Sequence, residues 1–354
     1  MDLVTIAETM GEGRLAAAMG LLTGLVFGVA AQRSRFCLRA ATVEFARARM
    51  GGAVAVWLLT FSTALVWVQG GRLLGYIDGT EARMMAVPGS WSGAIIGGLL
   101  FGSGMVLARG CSGRLLVLAA TGNLRSLVSG MVFAVVAQMS LHGALAPVRN
   151  TIASAWTTGG GRNLNLLDAL HLPDAGGLVL GLILAGFAIH IARRNQIGAG
   201  RLVFGAGVGF AVALGWALTT ALSRVSFDPI AITSATFSGP SANMLMYLLE
   251  SGDVLNFDIG LIPGVVIGAL ASSLLHREFQ FQGFDGEATM RRALTGAAMM
   301  GFGAMLAGGC AIGNGVTGTS IMAGTAWVAL TAFWVGGMIT DFLVDQRIAR
   351  VSDL

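Results

Sequence analysis

Nine stretches of the chain run apolar almost without interruption, at 15–32, 51–69, 91–108, 126–146, 176–192, 202–219, 259–276, 292–308 and 324–343. A hydrocarbon core about 30 Å thick needs roughly 20 helical residues to cross it. Inside lipid, every backbone N–H and C=O must be satisfied within the segment. The pattern therefore predicts an all-α polytopic membrane protein with about nine transmembrane helices. Glycine steps such as "GAIIGGLLFGSG" at 93–104 suit helices that pack backbone to backbone.

The polar stretches between the runs carry an orientation. Arg33, Arg35, Arg39, Arg47, Arg49, Arg109, Arg114, Arg125, Arg193, Arg194, Arg201, Arg277, Arg291, Arg292, Arg347 and Arg350 fall on one side. Arg14, Arg72, Arg83, Arg149, Arg162 and Arg224 fall on the other. The excess of arginine marks the cytoplasmic side, so the expected N-terminus is outside and the C-terminus cytoplasmic. The opening "MDLVTIAETMGEGRL" has neither a basic n-region nor a cleavage site, so no removable signal is expected.

Two phrases repeat at a spacing of 199 residues. "GSGMVLARGCSGR" pairs Gly102, Gly104, Leu107, Ala108, Gly110 and Cys111 with Gly301, Gly303, Leu306, Ala307, Gly309 and Cys310 of "GFGAMLAGGCAIGN". A weaker echo, at a spacing of 191, pairs Gly24, Arg33 and Phe36 with Gly215, Arg224 and Phe227, and sets Asp228 opposite Cys37. The predicted topology points the paired segments in opposite directions. That is an inverted-topology repeat, which builds a site near the membrane midplane. The expected divisions are an N-terminal extramembrane segment (1–14), a first repeat (15–175), a linking helix (176–200), a second repeat (201–345) and a cytoplasmic tail (346–354).

"CSGRLLVLAATGN" and "CAIGNGVTGTSIMAG" are too short to span, and are expected to be re-entrant half-helices. Pro229 and Gly239-Pro240 are expected to split 227–250 into two short helices, with the stretch after Cys37 as its counterpart.

Composition adds the chemistry. Hydrophobic residues make up 55% and charged ones 11%, where a soluble domain carries about 25% charge. Every one of the 22 basic residues is arginine, yet no basic run with interleaved aromatics suggests nucleic acid. The three cysteines form no CxxC and no zinc spacing, and the 17 methionines form no metal relay. Two half-helix N-termini aimed inward would favour an anion. Gly110, Gly113 and Gly309 would let backbone approach it, and Arg33, Arg35, Arg109 and Arg114 would flank it. A thiol is a weak donor and soft acceptor, suited to a sulfur-bearing anion. One cysteine alone in a membrane helix reads as packing; two repeat-related Gly-Cys pairs read as a site. Asp341 reads as an interfacial acid or a coupling group.

"RSRFCLRAA", "GSGMVLARGCSGR" and "GFGAMLAGGCAIGNGVTG" together resemble the YeeE/YedE family of sulfur transporters. The resemblance runs from about residue 18 to 343. It implies uptake of thiosulfate or a related sulfur anion across the bacterial inner membrane, and an hourglass-like inverted-repeat fold with re-entrant loops. It also implies functional roles for Cys37, Cys111 and Cys310, no cofactor or metal, and a small cytoplasmic TusA-like sulfurtransferase as partner. With the topology added, the order from outside to inside is Cys310, Cys111, Cys37. Arg109, standing where the second repeat has Gly308, marks a break in symmetry. The alternatives are a transporter of sulfite or a sulfane-sulfur species, and a membrane thiol redox protein.

Overall fold

The structure, a computed structural model, describes residues 3–226, 230–250, 254–284 and 286–346. The described residues form sixteen α-helices. The first half holds α1 (Leu3–Met10), α2 (Glu12–Ser34), α3 (Leu38–Ala46), α4 (Gly52–Leu73), α5 (Arg83–Ala86), α6 (Trp91–Leu107), α7 (Ser112–Ala120) and α8 (Leu124–Leu141). Short helices α9 (Ala146–Ser154) and α10 (Leu166–Ala169) lead to α11 (Gly176–Arg194). The second half holds α12 (Ala199–Ser223), α13 (Gly239–Leu249), α14 (Phe257–Leu275), α15 (Glu287–Leu306), a π-helix at Gly313–Gly318 and α16 (Gly324–Thr340).

Eight helical segments are long and apolar enough to cross a membrane: Glu12–Ala46, Gly52–Leu73, Trp91–Ala120, Leu124–Leu141, Gly176–Arg194, Ala199–Ser223, Phe257–Leu275 and Gly324–Gln346. Each overlaps one of the expected spans; Glu12–Ala46 and Trp91–Ala120 run on past the expected ends because they include the short helices after Cys37 and Cys111. The stretch expected at 292–308 is α15, a helix of 20 residues whose first turns carry Glu287, Arg291 and Arg292. Its charge leaves it outside that set. It packs against α6 and α8.

The packing follows from glycine. Gly20, Gly24 and Gly28 lie on one face of α2, and Gly260, Gly264 and Gly268 on one face of α14. A Cβ at any of them would overlap a backbone carbonyl of the facing helix, from Phe257, Leu261 and Val265 or from Ala17, Leu21 and Leu25. Backbones this close replace the hydrophobic drive that is missing between helices in lipid. Helices α6 and α15 cross the same way. A Cβ on Gly97 would lie 2.6 Å from the Gly303 carbonyl and one on Gly303 2.7 Å from that of Gly97; Gly104 and Gly296 face each other likewise.

The same contacts recur when the halves are exchanged. Helix α2 packs on α14 and α12 on α4; α6 packs on α16 and α15 on α8; α3 packs on α4 and α13 on α14. At residue level, Gly102 meets the Phe333 carbonyl and Gly301 that of Phe133. The repeat read from the Gly-Cys phrases is therefore also a repeat of packing.

It corrects the weaker echo. Gly20 and Gly24 meet the start of α14 as Gly205 and Gly209 meet α4, near Val56, Thr60 and Ala64. Gly24 thus corresponds to Gly209, not Gly215, and Phe36 to Phe237, not Phe227. The echo residues Phe227 and Asp228, the helix break at Pro229, and the tail from 347 on lie outside the described residues. Of the split expected over 227–250, residues 230–238 form an extended stretch and only α13 is helical.

Candidate functional site

Three chain reversals build the site. Helix α2 ends on Arg35 with φ of 54°, α6 on Arg109 with φ of 58°, and α15 on Gly308 with φ of 79°. In the α6 and α15 turns the N–H of Gly110 donates to Met105 and that of Gly309 to Ala304, a closure that ties off the last helical carbonyls. Two residues after each left-handed position comes a cysteine. Cys37 is the N-cap of α3 and Cys111 the N-cap of α7. Cys310 precedes the π-helix. At nine residues, α3 and α7 reach about 14 Å each, far short of a bilayer.

The cysteines are free thiols, Cys111 and Cys310 buried and Cys37 half-buried. The Cys111 thiol neighbours that of Cys37 and is within electrostatic range of Cys310. The Cys310 sulfur accepts the Phe237 N–H at 3.3 Å and the Gly313 N–H at 3.5 Å. With its lone pairs occupied in this way, Cys310 is left with its S–H to offer, and an anion accepts from an S–H. The N–H of Ala40 and of Arg114 lie at the corresponding place beside Cys37 and Cys111.

The surroundings are rigid and mostly apolar. Asn314 donates to the carbonyls of Ala307 (2.8 Å) and Gly309 (3.2 Å), and Thr317 to that of Ala235 (2.5 Å), pinning the Cys310 loop to the extended stretch. Gly309 has only Asn314 against it, and Gly313 has Thr236. A Cβ on Gly113 would sit 3.1 Å from the Phe237 ring. Phe27 and Phe237 pack with ring centroids 4.9 Å apart. A closed pocket narrower than a water molecule lies among Phe27, Phe36, Cys111, Gly113, Arg114 and Ile312. Away from it, a cavity of about 410 Å³ is lined by Arg83, Thr233, Asn243 and Asp258 among others. There Asn243 donates to Asp258 at 2.9 Å.

The expected arginines divide. Arg114 is half-buried, lines the closed pocket and lies within electrostatic range of Cys37. Arg33 is paired with Glu278 at 3.4 Å and lies over the Phe204 ring. Arg35 and Arg109 have exposed side chains, while the cysteines they precede are half-buried and buried. Their backbone makes the left-handed turns that lead into Cys37 and Cys111. Asp341 is fully buried and takes two hydrogen bonds from Arg47, at 2.8 and 3.1 Å, the geometry of a structural ion pair. That hydrogen bond raises the Arg47 guanidinium above its ordinary pKa.

Thr236, Phe237 and Ser238 were not singled out from the sequence. The signal was present in "RFC" at 35–37 and "TFS" at 236–238. The correspondence sets Phe237 opposite Phe36, and Ser238, the N-cap of α13, opposite Cys37, the N-cap of α3.

A family described as Sulphur transport matches residues 33–339 of the chain. The chain is 28% identical to the thiosulfate transporter TsuA of Escherichia coli (strain K12), over 94% of this chain and 97% of that protein. It is 25% identical to the thiosulfate transporter TsuA of Spirochaeta thermophila, over 93% of this chain and 99% of that protein. These relatives are transporters, not enzymes. The match spans all three cysteine turns, and the chain belongs to the Sulphur transport family of multi-pass membrane proteins.

Proposed function

We propose that the protein takes up thiosulfate across the bacterial inner membrane, passing the anion along its three thiols. The observation that carries this is the set of three free thiols, each at the start of a short segment behind a left-handed turn. The names of the TsuA relatives support the substrate. The arginine excess supports an N-terminus outside, a C-terminus in the cytoplasm, and the order Cys310, Cys111, Cys37 from outside to inside. The exchange symmetry of the packing supports an inverted repeat about a site near the midplane.

A thiol donates weakly, so each contact is made and lost easily, and conduction requires such multi-site, exchangeable binding. Arg114 supplies positive charge beside the two inner thiols, where desolvation of an anion costs most. The apolar side chains of Phe27, Phe36 and Ile312 leave no room for water in the pocket beside Cys111. Thiosulfate therefore has to shift these side chains as it passes. A small cytoplasmic TusA-like sulfurtransferase is the expected recipient, and lipid the surroundings.

Radiolabelled thiosulfate uptake into proteoliposomes tests the reading. Wild-type protein is expected to accumulate label above empty vesicles, and Cys111→Ala to lose at least tenfold of that rate while still incorporating. A Cys111→Ala variant with full uptake would overturn the thiol path. Faster uptake of labelled sulfite than of thiosulfate would reassign the substrate. A stoichiometric persulfide in the purified protein would favour the redox reading.

A further inference from the structure

We propose that the hydroxyls of Ser238 and Thr236 are a fourth substrate-contacting station, which holds the oxygen end of the anion beside Cys310 and so selects for it. This rests on the transport reading above and assigns to its outer end residues that carry oxygen instead of sulfur. The Ser238 and Thr236 hydroxyls lie 3.4 Å apart, and the Thr236 hydroxyl lies 3.9 Å from the Cys310 sulfur. An ion that accepts from the Cys310 thiol is therefore within reach of both.

Ser238 behaves unlike an ordinary helix cap. Serine at an N-cap normally accepts an N–H from the first turn. Ser238 makes no such bond, and α13 has a proline in its first turn, with no N–H to give. Ser238 is 4% exposed as a residue, and its hydroxyl faces Thr236. A hydroxyl of a buried residue that forgoes its cap, one hydroxyl away from a thiol whose own lone pairs are taken, is placed to donate.

The symmetry explains why two chemistries are needed. Ser238 corresponds to Cys37, so the two ends of the path differ: a thiol at one stands where the other has the Ser238 hydroxyl, with the Thr236 hydroxyl between it and Cys310. Thiosulfate is itself two-ended, with a sulfane sulfur and a trigonal set of oxygens. An O–H is a stronger donor than an S–H, and shortest and strongest to an anionic oxygen. Hydroxyls at the Cys310 end therefore bind the oxygens, while the softer thiols meet the sulfur.

The test is saturation of labelled thiosulfate uptake in proteoliposomes holding the full chain. Ser238→Ala and Thr236→Val are each expected to raise the half-saturating concentration about tenfold, the usual scale for one hydrogen bond to a charged group, with the maximal rate within about twofold. Ser238→Thr, which keeps the hydroxyl, is expected to restore wild-type saturation. Unchanged half-saturation in both Ser238→Ala and Thr236→Val overturns the proposal. So does a fall in maximal rate alone, which marks a structural role. If Ser238→Ala does not reach the membrane, Ser238→Cys is labelled in sealed vesicles with a membrane-impermeant thiol reagent, against wild type as background. Labelling slowed by thiosulfate supports the station, and absent labelling or labelling indifferent to thiosulfate overturns it. Failure of the transport reading is separately visible. There, wild-type vesicles take up no thiosulfate; here, wild type transports, Cys111→Ala does not, and Ser238→Ala matches wild type.

Discussion

Arg35, Arg109 and Gly308 sit in left-handed backbone two residues ahead of Cys37, Cys111 and Cys310. That conformation costs an L-residue roughly 1–2 kcal/mol and glycine almost nothing. Glycine's larger freedom in the unfolded chain takes back about 0.4–1 kcal/mol. Arg109→Gly is therefore expected to stabilise the protein by about 0.5 kcal/mol. Because the Arg109 side chain is exposed, thiosulfate uptake should stay near wild type. Thermal unfolding in detergent together with uptake checks both, and a lower unfolding temperature or a tenfold slower uptake would count against this account of the turn. The asymmetry between "LARGC" and "LAGGC" was legible in the sequence. That the arginine takes a left-handed turn with its side chain exposed was not, because side-chain direction follows from φ and from the neighbours that fill the site.

At the scale of elements, the α2–α14 and α6–α15 crossings rest on glycines that face backbone. A side chain there has nothing flexible to displace. Gly24→Val is expected to cost at least the 1–3 kcal/mol typical of overpacking, since the obstacles are the Leu261 carbonyl and the backbone of Gly264 and Val265. The readout is the yield of monodisperse protein and its unfolding temperature. Gly130→Ala in α8 is the matched control: no atom lies within 4 Å of where its Cβ would stand, so it should gain about 0.5–1 kcal/mol from helix propensity. Equal behaviour of the two variants would show that the crossing is not set by glycine. The glycine spacing itself is plain in "GLLTGLVFG" and "GLIPGVVIG". Which helix each stripe meets cannot be read from either alone.

Across the whole molecule, ion pairs fasten the chain's end to its first third. Arg47 holds buried Asp341, while Arg39 and Arg292 both reach Asp345, at 3.4 and 2.6 Å. Removing one partner of a buried pair costs about 3–5 kcal/mol, because the other charge stays buried. Arg47 is 42% exposed, which moves the figure toward about 2–3 kcal/mol through solvent screening. Arg47→Ala should thus lower the unfolding temperature by several degrees, and adding Asp341→Asn should recover much of the loss. A double variant no better than Arg47→Ala would show that the contact acts through packing.

The spans, the short segments after the cysteines and the family were readable from the chain, because bilayer thickness, apolar run length and a local Gly-Cys phrase are properties of neighbouring residues. The counterpart of Cys37 was not. A constant spacing pointed to Asp228, outside the described residues, whereas the packing assigns Ser238. The reason is length: α12 ends at Ser223 and α13 starts at Gly239, whereas α2 ends at Ser34 and α3 starts at Leu38. Linear spacing fails across such an insertion, and only the close approach of Gly205 and Gly209 to α4, mirroring Gly20 and Gly24 on α14, restores the register. The chain likewise showed three scattered thiols, and only the tertiary structure shows that the Cys310 sulfur is held by the N–H groups of Phe237 and Gly313, the first of them distant in sequence.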